Sequence, residues 1–309
     1  MKKIVVMGSF VVDLMSRADH LPAPGETVRG TYFQSGPGGK GFNQGVAARK
    51  AGGDVLMSTK IARDIFGQVA EYTMDELGLA KDYLFYANDR ATGTALILVD
   101  EHSSQNAIMV VPGAAETFTE DEVNQVIAHI DENTILLTQL EINLPAVYQV
   151  IRAAKERGAT VVLNPAPYSP FDRDILAYVD IITPNEIEAC GLTGTTVDTA
   201  ENARVAAAAI RAMGVPHVII TWGDKGAYVL DDTLDEIIPP VPVKALDTTG
   251  AGDAFNGALV TALAEGCNLK AAVRFANAAA ALSVQKLGTT NSMADRAAID
   301  ALLKEGSSD

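Results

Sequence analysis

The chain has 309 residues, 48% of them hydrophobic, and its formal net charge at pH 7 is −15. This length fits one large α/β domain with an insertion, and the apolar content is sufficient for a buried core. The negative charge argues against nucleic acid and anionic membranes as partners, and no apolar run approaches the ~18 residues that span a bilayer. Cys190 and Cys267 lack metal or redox spacing, which predicts a cytoplasmic protein.

The first hundred residues mix two kinds of pattern. The apolar, β-branched run at residues 4–12 predicts one strand buried on both faces of a parallel sheet, and it resembles a secretion signal only poorly. Residues 13–36 have a weak hairpin pattern, and residues 93–111 contain two strand-like runs separated by turn-forming residues. Because these two segments do not fit the alternation found elsewhere, we predict that they form a small β-lid.

Strands and helices alternate through the rest of the chain. Helices are predicted at residues 42–51, 66–77, 119–130, 143–158 and 198–213, the last one capped by Asp198. Strands are predicted at residues 54–61, 134–139, 160–163, 180–183 and 217–221, followed by a β-meander at 227–230 and 236–240. This alternation predicts a single α/β domain over residues 1–309, with a mainly parallel sheet covered by helices on both faces.

A segment of small residues precedes an apolar helix that is predicted to begin near Ala254. Backbone N–H groups of Gly250, Ala251 and Gly252 can approach an anion there, because a helix N-terminus is a suitable phosphate site. Asp253 lies inside this anion site. It is either a helix N-cap or a base beside a phosphate that is being transferred, and this segment alone does not decide between them.

Residues 36–41 match the dinucleotide pattern G-x-G-x-x-G, but they do not directly follow the first strand, so a Rossmann reductase is disfavoured. Lys40 is followed by Gly41 rather than by Ser or Thr, so a P-loop is disfavoured as well. A glycine loop that closes over a small polar ligand, with Asn43 donating from the helix start, is compatible with the pattern. The four histidines lack metal spacing, and no G-x-S-x-G elbow indicates a hydrolase.

Two further segments follow predicted strands. Asn185 and Glu188 are three residues apart at a strand-to-helix junction, which is typical of a helix cap with a first-turn acid. Residues 221–226 form either a simple turn or, at the carboxyl end of a parallel strand, part of a ligand site.

Together these segments resemble one family, the ribokinase-like (PfkB) carbohydrate kinases. Residues 38–44 (Gly-Gly-Lys-Gly-Phe-Asn-Gln) are similar to its N-terminal signature, and residues 247–257 are similar to its C-terminal signature. The shorter segments occur in the expected order, namely Gly8-Ser9, Asp13, Thr92-Gly93, and residues 139–141, 164–167, 184–188 and 221–223. The resemblance covers essentially the whole chain.

The resemblance implies an α/β core, a β-lid that commonly forms a homodimer interface, and MgATP-dependent phosphorylation of a sugar hydroxyl, with ribose as the first expectation. Asp253 would be the catalytic base, although a helix N-terminus should lower the pKa of its carboxyl group. Gly250, Ala251 and Gly252 would form the anion hole. The sugar would be held by Asp13, Gly39, Lys40, Asn43, Glu141 and Asp253.

The resemblance also places the nucleotide and the metals. The nucleotide would lie among Asn185, Thr221, Gly223, Asp224, Gly226, Gly252 and Asn277, with Glu188 placing Mg²⁺ through water. A monovalent cation, K⁺, would lie near Asp247, Thr249, Ser283, Lys286, Gly288 and Ser292, several of them binding through backbone carbonyls.

Two positions depart from the family pattern and leave the sugar open. Val11 stands where an Asn typically contacts the sugar, and Phe42 replaces a small residue of the glycine loop. Loss of a buried amide reduces discrimination between sugars, so fructose, deoxyribose or a modified sugar are alternatives. A nucleoside kinase whose base stacks on Phe42 or Tyr32 is another. A non-catalytic sugar or nucleotide sensor is disfavoured by the intact Asp253 and anion hole.

Overall fold

The computed structural model describes residues 1–103 and 105–305. Within them the strands are β1 (Lys3–Met7), β2 (Val11–Ala18), β3 (Tyr32–Gly38), β4 (Val55–Ala62), β5 (Leu84–Ala87), β6 (Thr92–Asp100), β7 (Asn106–Gly113), β8 (Thr134–Thr138), β9 (Thr160–Leu163), β10 (Ile181–Ile182), β11 (His217–Thr221), β12 (Ala227–Leu230) and β13 (Asp235–Ile238).

The helices are α1 (Lys40–Lys50), α2 (Gly67–Glu76), α3 (Glu120–Ile127), α4 (Leu144–Glu156), α5 (Glu186–Thr193), α6 (Ala200–Ala212), α7 (Ala251–Ala264), α8 (Leu269–Ser283) and α9 (Arg296–Glu305). Short 3₁₀ turns occur at Ala114–Thr117, Arg173–Tyr178, Gly223–Lys225 and Thr290–Ser292. In the described part of the chain, no helix is long and apolar enough to cross a membrane.

The larger sheet is the scaffold of the molecule. In the described residues it has nine strands in the order β13-β12-β11-β10-β9-β8-β1-β4-β5, parallel except for the antiparallel meander β11-β12-β13. Side chains of β1 alternate between its faces, so Ile4 and Val6 pack with α1, α7 and α8, whereas Val5 and Met7 pack with α3, α4 and α6. Because both faces are buried, the strand is apolar throughout, and the predicted fold class is confirmed.

The single strand predicted at residues 4–12 is wrong. β1 ends at Met7, and the chain then leaves the large sheet to enter β2 of a second sheet. The crossing point is Gly8, where an added Cβ would lie 2.2 Å from Oε1 of Gln139 and 2.7 Å from Cα of Gly41. The apolar run is continuous because β1 and the start of β2 are both buried, so hydrophobicity alone does not reveal the break.

Two smaller predictions also differ from the structure. Thr199, rather than Asp198, caps α6, since its side chain accepts a hydrogen bond from the backbone N–H of Asn202. The edge strand β5 was not predicted, because its four residues Leu84–Ala87 are too few to show a period.

The second sheet has four strands in the described residues, in the order β3-β2-β6-β7, with β2 and β6 parallel. It includes residues 13–18 and 32–36 of the first predicted lid segment and most of the second segment, and it extends slightly beyond both. Residues opposite each other in paired strands share a face. One face carries Asp13, Met15, Arg17, Gln34, Ile97 and Val99, and the other exposes Phe33, Leu96, Leu98, Met109 and Val111.

Candidate active site

The first turn of α7 combines an anion-binding backbone with a buried carboxylate. Gly250 is the N-cap in the left-handed conformation (φ 79°), and no side chain caps this helix among the described residues. A Cβ added at Gly252 would meet nothing within 4 Å, so open space lies in front of this turn. Asp253 does not cap the helix. Its carboxylate instead accepts hydrogen bonds from α1, at 3.0 Å from Nδ2 of Asn43 and 2.9 Å from Nε2 of Gln44.

Asp253 is buried, with 7% of its surface exposed. Burial is the largest influence and raises the pKa of its carboxyl group, while the Lys40 ammonium and the two amide donors lower it. The net direction is upward. This net direction is opposite to the one expected from the helix N-terminus, because burial outweighs the Lys40 charge and the two amide hydrogen bonds. A raised pKa makes this carboxylate a stronger base.

Three more carboxylates, those of Glu141, Asp13 and Glu188, and the ammonium of Lys40 face Asp253. Oε2 of Glu141 accepts hydrogen bonds from the backbone N–H of Lys40 (2.9 Å) and from the hydroxyl of Ser9 (2.5 Å). Burial raises the pKa of Asp13 to about 7, the hydroxyl of Thr289 lowers it, and the charges of Asp253 and Glu141 raise it. These interactions place Asp13, from the second sheet, in the same site as α1 and α7.

Lys40 balances this negative charge. Burial alone would lower the pKa of its ammonium group, but Asp253, Glu141 and Glu188 together outweigh burial and raise it. Gly39, the N-cap of α1, has a φ of 90°. The predicted sugar-binding residues thus converge from β2, α1, α7 and the segment after β8.

A cavity of about 450 Å³ opens beside Asp13, between the second sheet and two segments that flank α7 and α8. Its volume is within the ~300–1,000 Å³ typical of small-molecule sites. Its lining includes Asp13, Gln34 and Gly36 from the second sheet, and residues 245–249 and 288–291 from the α/β core. The second sheet therefore covers this cavity on one side.

Asn185 and Thr221, two of the predicted nucleotide-binding residues, lie at the carboxyl ends of β10 and β11. Asn185 caps α5 and exchanges two hydrogen bonds of 2.8 Å with Glu188, so the helix-cap interpretation of this pair is confirmed. The next strand is adjacent, since the backbone N–H of Thr221 donates to Pro184 O (2.9 Å). Burial raises the pKa of Glu188, and the nearby charge of Lys40 lowers it.

The turn between β11 and β12 continues this region. It contains Gly223, Asp224, which is exposed, and Gly226, whose added Cβ would lie 2.3 Å from Ile238 O. Asn277 of α8 donates to the carbonyls of Ile238 (3.2 Å) and Pro239 (2.9 Å). Asn277 and Gly226 are therefore brought to the same short segment.

The predicted cation-binding residues also converge. The Asp247 carboxylate accepts hydrogen bonds of 3.0 Å from the backbone N–H groups of Thr249 and Gly288. The backbone N–H of Asp247 donates to Val284 O (3.1 Å). All six predicted residues lie in the two joined segments 247–249 and 283–292. Within residues 1–103 and 105–305, no group of three or more His, Cys, Asp or Glu side chains could hold a metal ion.

Val11 and Phe42, the two residues that depart from the family pattern, lie in different parts of the fold. Val11 is buried at the start of β2, opposite Gly38 and Gly93. Phe42 is fully buried in the core, with its ring edge-on to Phe10 at 4.9 Å between centroids. Phe42 therefore does not serve as the base-stacking platform that the nucleoside-kinase alternative requires, because the first turn of α1 directs this side chain toward the core.

Three residues of this site were missed. Gln44 contacts Asp253 directly, and its place beside Asn43 in the signature was the available signal. Thr289 donates to Asp13 (3.0 Å), and Thr290 donates to Asn43 (2.7 Å). These threonines lie in an irregular segment without hydrophobic periodicity, so no local pattern indicated them.

The family profile described as pfkB family carbohydrate kinase matches residues 1–296, and the chain belongs to this family of carbohydrate kinases. Ribokinase from Haemophilus influenzae is 39% identical over 295 residues, 96% of each chain. Deoxyribokinase from Salmonella typhi is 35% identical over 290 residues, 94% of each chain. The structure of Arabidopsis thaliana ribokinase complexed with ribose and ATP superposes with a TM-score of 0.88 at 32% identity, covering 98% of this chain and 99% of that one.

Proposed function

We propose that this kinase transfers the γ-phosphoryl group of ATP to ribose, giving ribose 5-phosphate and ADP. The observation that carries the proposal is the Asp253 carboxylate, buried and held by two amides at the first turn of α7, directly after Gly250 and Gly252. The sequence similarity to ribokinases over 96% of the chain supports ribose as the acceptor.

In this proposal the sugar lies beneath the second sheet, beside Asp13, with one hydroxyl directed at Asp253. The remaining hydroxyls donate hydrogen bonds to the carboxylates of Asp13 and Glu141. The amide of Asn43 can both donate to a hydroxyl and accept from one. Gly39 lets the backbone approach the sugar, and Lys40 offsets the carboxylate charges. Closely placed polar groups of this kind supply orientation and sugar selectivity.

The phosphoryl group is transferred in line between the leaving oxygen of ADP and the attacking hydroxyl. The N–H groups at Gly250, Ala251 and Gly252 stabilise the negative charge on the transferring group. Asp253 accepts the hydroxyl proton as the new P–O bond forms. Since the transition state is loose, this proton moves late, and a carboxylate with a raised pKa is a sufficient base.

The nucleotide lies along the carboxyl ends of β10 and β11, among Asn185, Thr221, Gly223, Asp224, Gly226 and Asn277, with Gly252 next to its terminal phosphate. Glu188, which faces Lys40 and Asp253, would orient the water ligands of Mg²⁺, and the metal would supply positive charge against the phosphates. The residues that would hold a monovalent cation are Asp247, through its carboxylate, and Thr249, Ser283, Lys286, Gly288 and Ser292, through carbonyl or hydroxyl oxygens. Such oxygen donors fit K⁺, which would add to the positive field of the anion hole.

The second sheet acts as a lid that excludes water from the transfer, since water would otherwise accept the phosphoryl group. Its outer face exposes Phe33, Leu96, Leu98, Met109 and Val111. Contiguous apolar surface of this kind is typical of interaction sites. We assign a second copy of the chain as its occupant, because the two lids of a homodimer would bury this face symmetrically.

A second candidate acceptor is 2-deoxyribose. Val11 lies at the position where an amide typically contacts the sugar, and it offers no hydrogen bond that a missing hydroxyl would leave unpaired. The 35% identity to a deoxyribokinase also supports this candidate.

The test is ADP release from MgATP over a panel of ribose, 2-deoxyribose, fructose and adenosine, each with K⁺ or with an equal concentration of a large organic cation. Ribose preferred, with activation by K⁺, is the expected result. Preference for 2-deoxyribose would assign the specificity to Val11. Turnover with only fructose or adenosine contradicts the proposed acceptor, and ATP binding without any turnover favours a sensing protein.

A further inference from the structure

We propose that Gln44 is a positioning residue for the base: it orients the Asp253 carboxylate through a buried amide network that includes Asn164 and Gln139. The inference rests on the proposed function, in which Asp253 accepts the proton of the sugar hydroxyl. Gln44 is fully buried at 0% exposure, so it acts through Asp253 rather than by contact with the substrate.

Gln44 contacts two acceptors with the same nitrogen. Its Nε2 donates to Oδ1 of Asp253 at 2.9 Å and to Oδ1 of Asn164 at 3.0 Å. Its Oε1 accepts from Nε2 of Gln139 at 2.6 Å. All three partners are at most 7% exposed, so water does not compete for these hydrogen bonds.

The direction of the network is determined by a backbone group. The carbonyl of Thr183 can only accept, so the amide nitrogen of Asn164 must face it, and the distance is 2.9 Å. Oδ1 of Asn164 therefore faces Gln44, which must present its own nitrogen. That nitrogen is the donor to Asp253, so a carbonyl at the end of β10 determines which atom of Gln44 meets the base.

The two oxygens of Asp253 consequently have different partners. Oδ2 accepts from Asn43, which belongs to the proposed sugar site, and Oδ1 accepts from Gln44, which does not. When Asn43 changes partner to bind a sugar, Gln44 continues to hold the carboxylate. Correct orientation of a base is worth orders of magnitude in rate, since proton transfer requires near-ideal geometry.

Gln44 also affects the charge of the base. The charged groups that face Asp253 are Lys40 from α1, Asp13 from β2, Glu141 after β8 and Glu188 from α5. Lys40 favours the ionised form, and the three carboxylates oppose it. The Gln44 hydrogen bond lowers the pKa of Asp253, so removal of this donor should raise that pKa further.

The test compares Gln44→Met with wild-type protein by the pH dependence of kcat at saturating sugar and MgATP. Met has a similar volume and no donor. We expect kcat to fall at least 10-fold, KM for the sugar to change by less than 3-fold, and the acidic limb of the kcat profile to move to higher pH. Gln139→Met removes only the partner of Gln44. It should lower kcat and move the acidic limb to higher pH, but each change should be smaller than in Gln44→Met.

Thr261→Val is the matched control. Thr261 is fully buried on α7 and donates to Ala48 O and Gly257 O, but it does not contact Asp253. It should lower the unfolding temperature without moving the acidic limb. If Gln44→Met and Gln139→Met behave like Thr261→Val, with kcat and its pH profile unchanged per folded molecule, the positioning role is excluded. Asp253→Asn in the same assay separates this result from a failure of the base assignment, because retained turnover in that variant would contradict the base itself.

Discussion

Asn43 on α1 and Asp253 on α7 are joined by a hydrogen bond of 3.0 Å across 210 positions of sequence. Each belongs to a different signature segment, and the two helices pack against each other on one face of the large sheet. The bond joins a residue of the proposed sugar site to the proposed base.

Asp253→Asn should lower turnover by at least about 10³-fold while ATP binding is largely retained. The substitution keeps the shape of the side chain but removes its ability to accept a proton, and general-base catalysis contributes about 10²–10⁴-fold. The measurement is ADP release at saturating substrates, together with ATP binding by calorimetry. Asp121→Asn is the control, since Asp121 lies in the first turn of α3 but is exposed. Turnover within 10-fold of wild type in Asp253→Asn would contradict the catalytic assignment.

Gly252→Ala and Gly257→Ala should change the stability of the protein in different ways, although both residues lie on α7. An added Cβ at Gly252 meets no protein atom within 4 Å, so stability should be unchanged or rise by up to about 1 kcal/mol. Turnover should fall at least 10-fold, because the methyl group would occupy the proposed phosphate position. At Gly257 the Cβ would lie 2.5 Å from Ala47 Cβ, so stability should fall by about 1–3 kcal/mol.

Urea unfolding and ADP release at saturating MgATP distinguish the two variants. Full activity in Gly252→Ala would show that no ligand atom lies against this turn. A wild-type unfolding midpoint in Gly257→Ala would contradict the close packing of α7 on α1.

Asp13→Asn should stabilise the free protein at pH 8 but not at pH 4. The pKa of Asp13 is raised from 3.8 to about 7 in the folded state, so the folded protein binds this proton more tightly than the unfolded chain does. Stability is therefore lost as pH rises from about 4 to 7, and the loss is complete above pH 7. Asparagine avoids the ionisation, and we expect a gain of up to about 2 kcal/mol at pH 8.

The measurement is urea unfolding of both proteins at several pH values without ligand. Asp121→Asn, at an exposed position, should show no such pH-dependent difference. A gain of equal size at pH 4 and pH 8 would mean that the Asp13 ionisation is not its cause.

Met109→Glu should convert a dimer into a monomer. Met109 is 64% exposed on the outer face of the lid, opposite Leu96 on the neighbouring strand. A buried unpaired carboxylate in an apolar interface costs several kcal/mol, enough to dissociate it. Light scattering after size exclusion measures the mass. Val205→Glu, at a 43% exposed position of α6, is the control and should leave the mass unchanged. A monomeric wild-type protein would remove the proposed lid interface.

Local sequence patterns predicted most elements of the fold. The capping box at Thr119 and the helix cap at Asn185 are present as expected, because such caps depend on residues only three apart. The alternation of strands and helices predicted the parallel sheet for a similar reason, since each element shows its own buried face. The break between β1 and β2 at Gly8 was not predicted, because a buried strand in either sheet has the same apolar composition.

The sequence by itself determined the chemistry available at the site: a carboxylate among small residues at a helix N-terminus, and a polar glycine loop far away in the chain. Only the tertiary structure decided how these groups are used. It joined Asp253 to Asn43 and Gln44 rather than to its own helix, placed Phe42 in the core, and brought Thr289 to Asp13. Hydrogen bonds between residues some 200 or more positions apart depend on how the helices and the two sheets pack, and no local pattern encodes that packing.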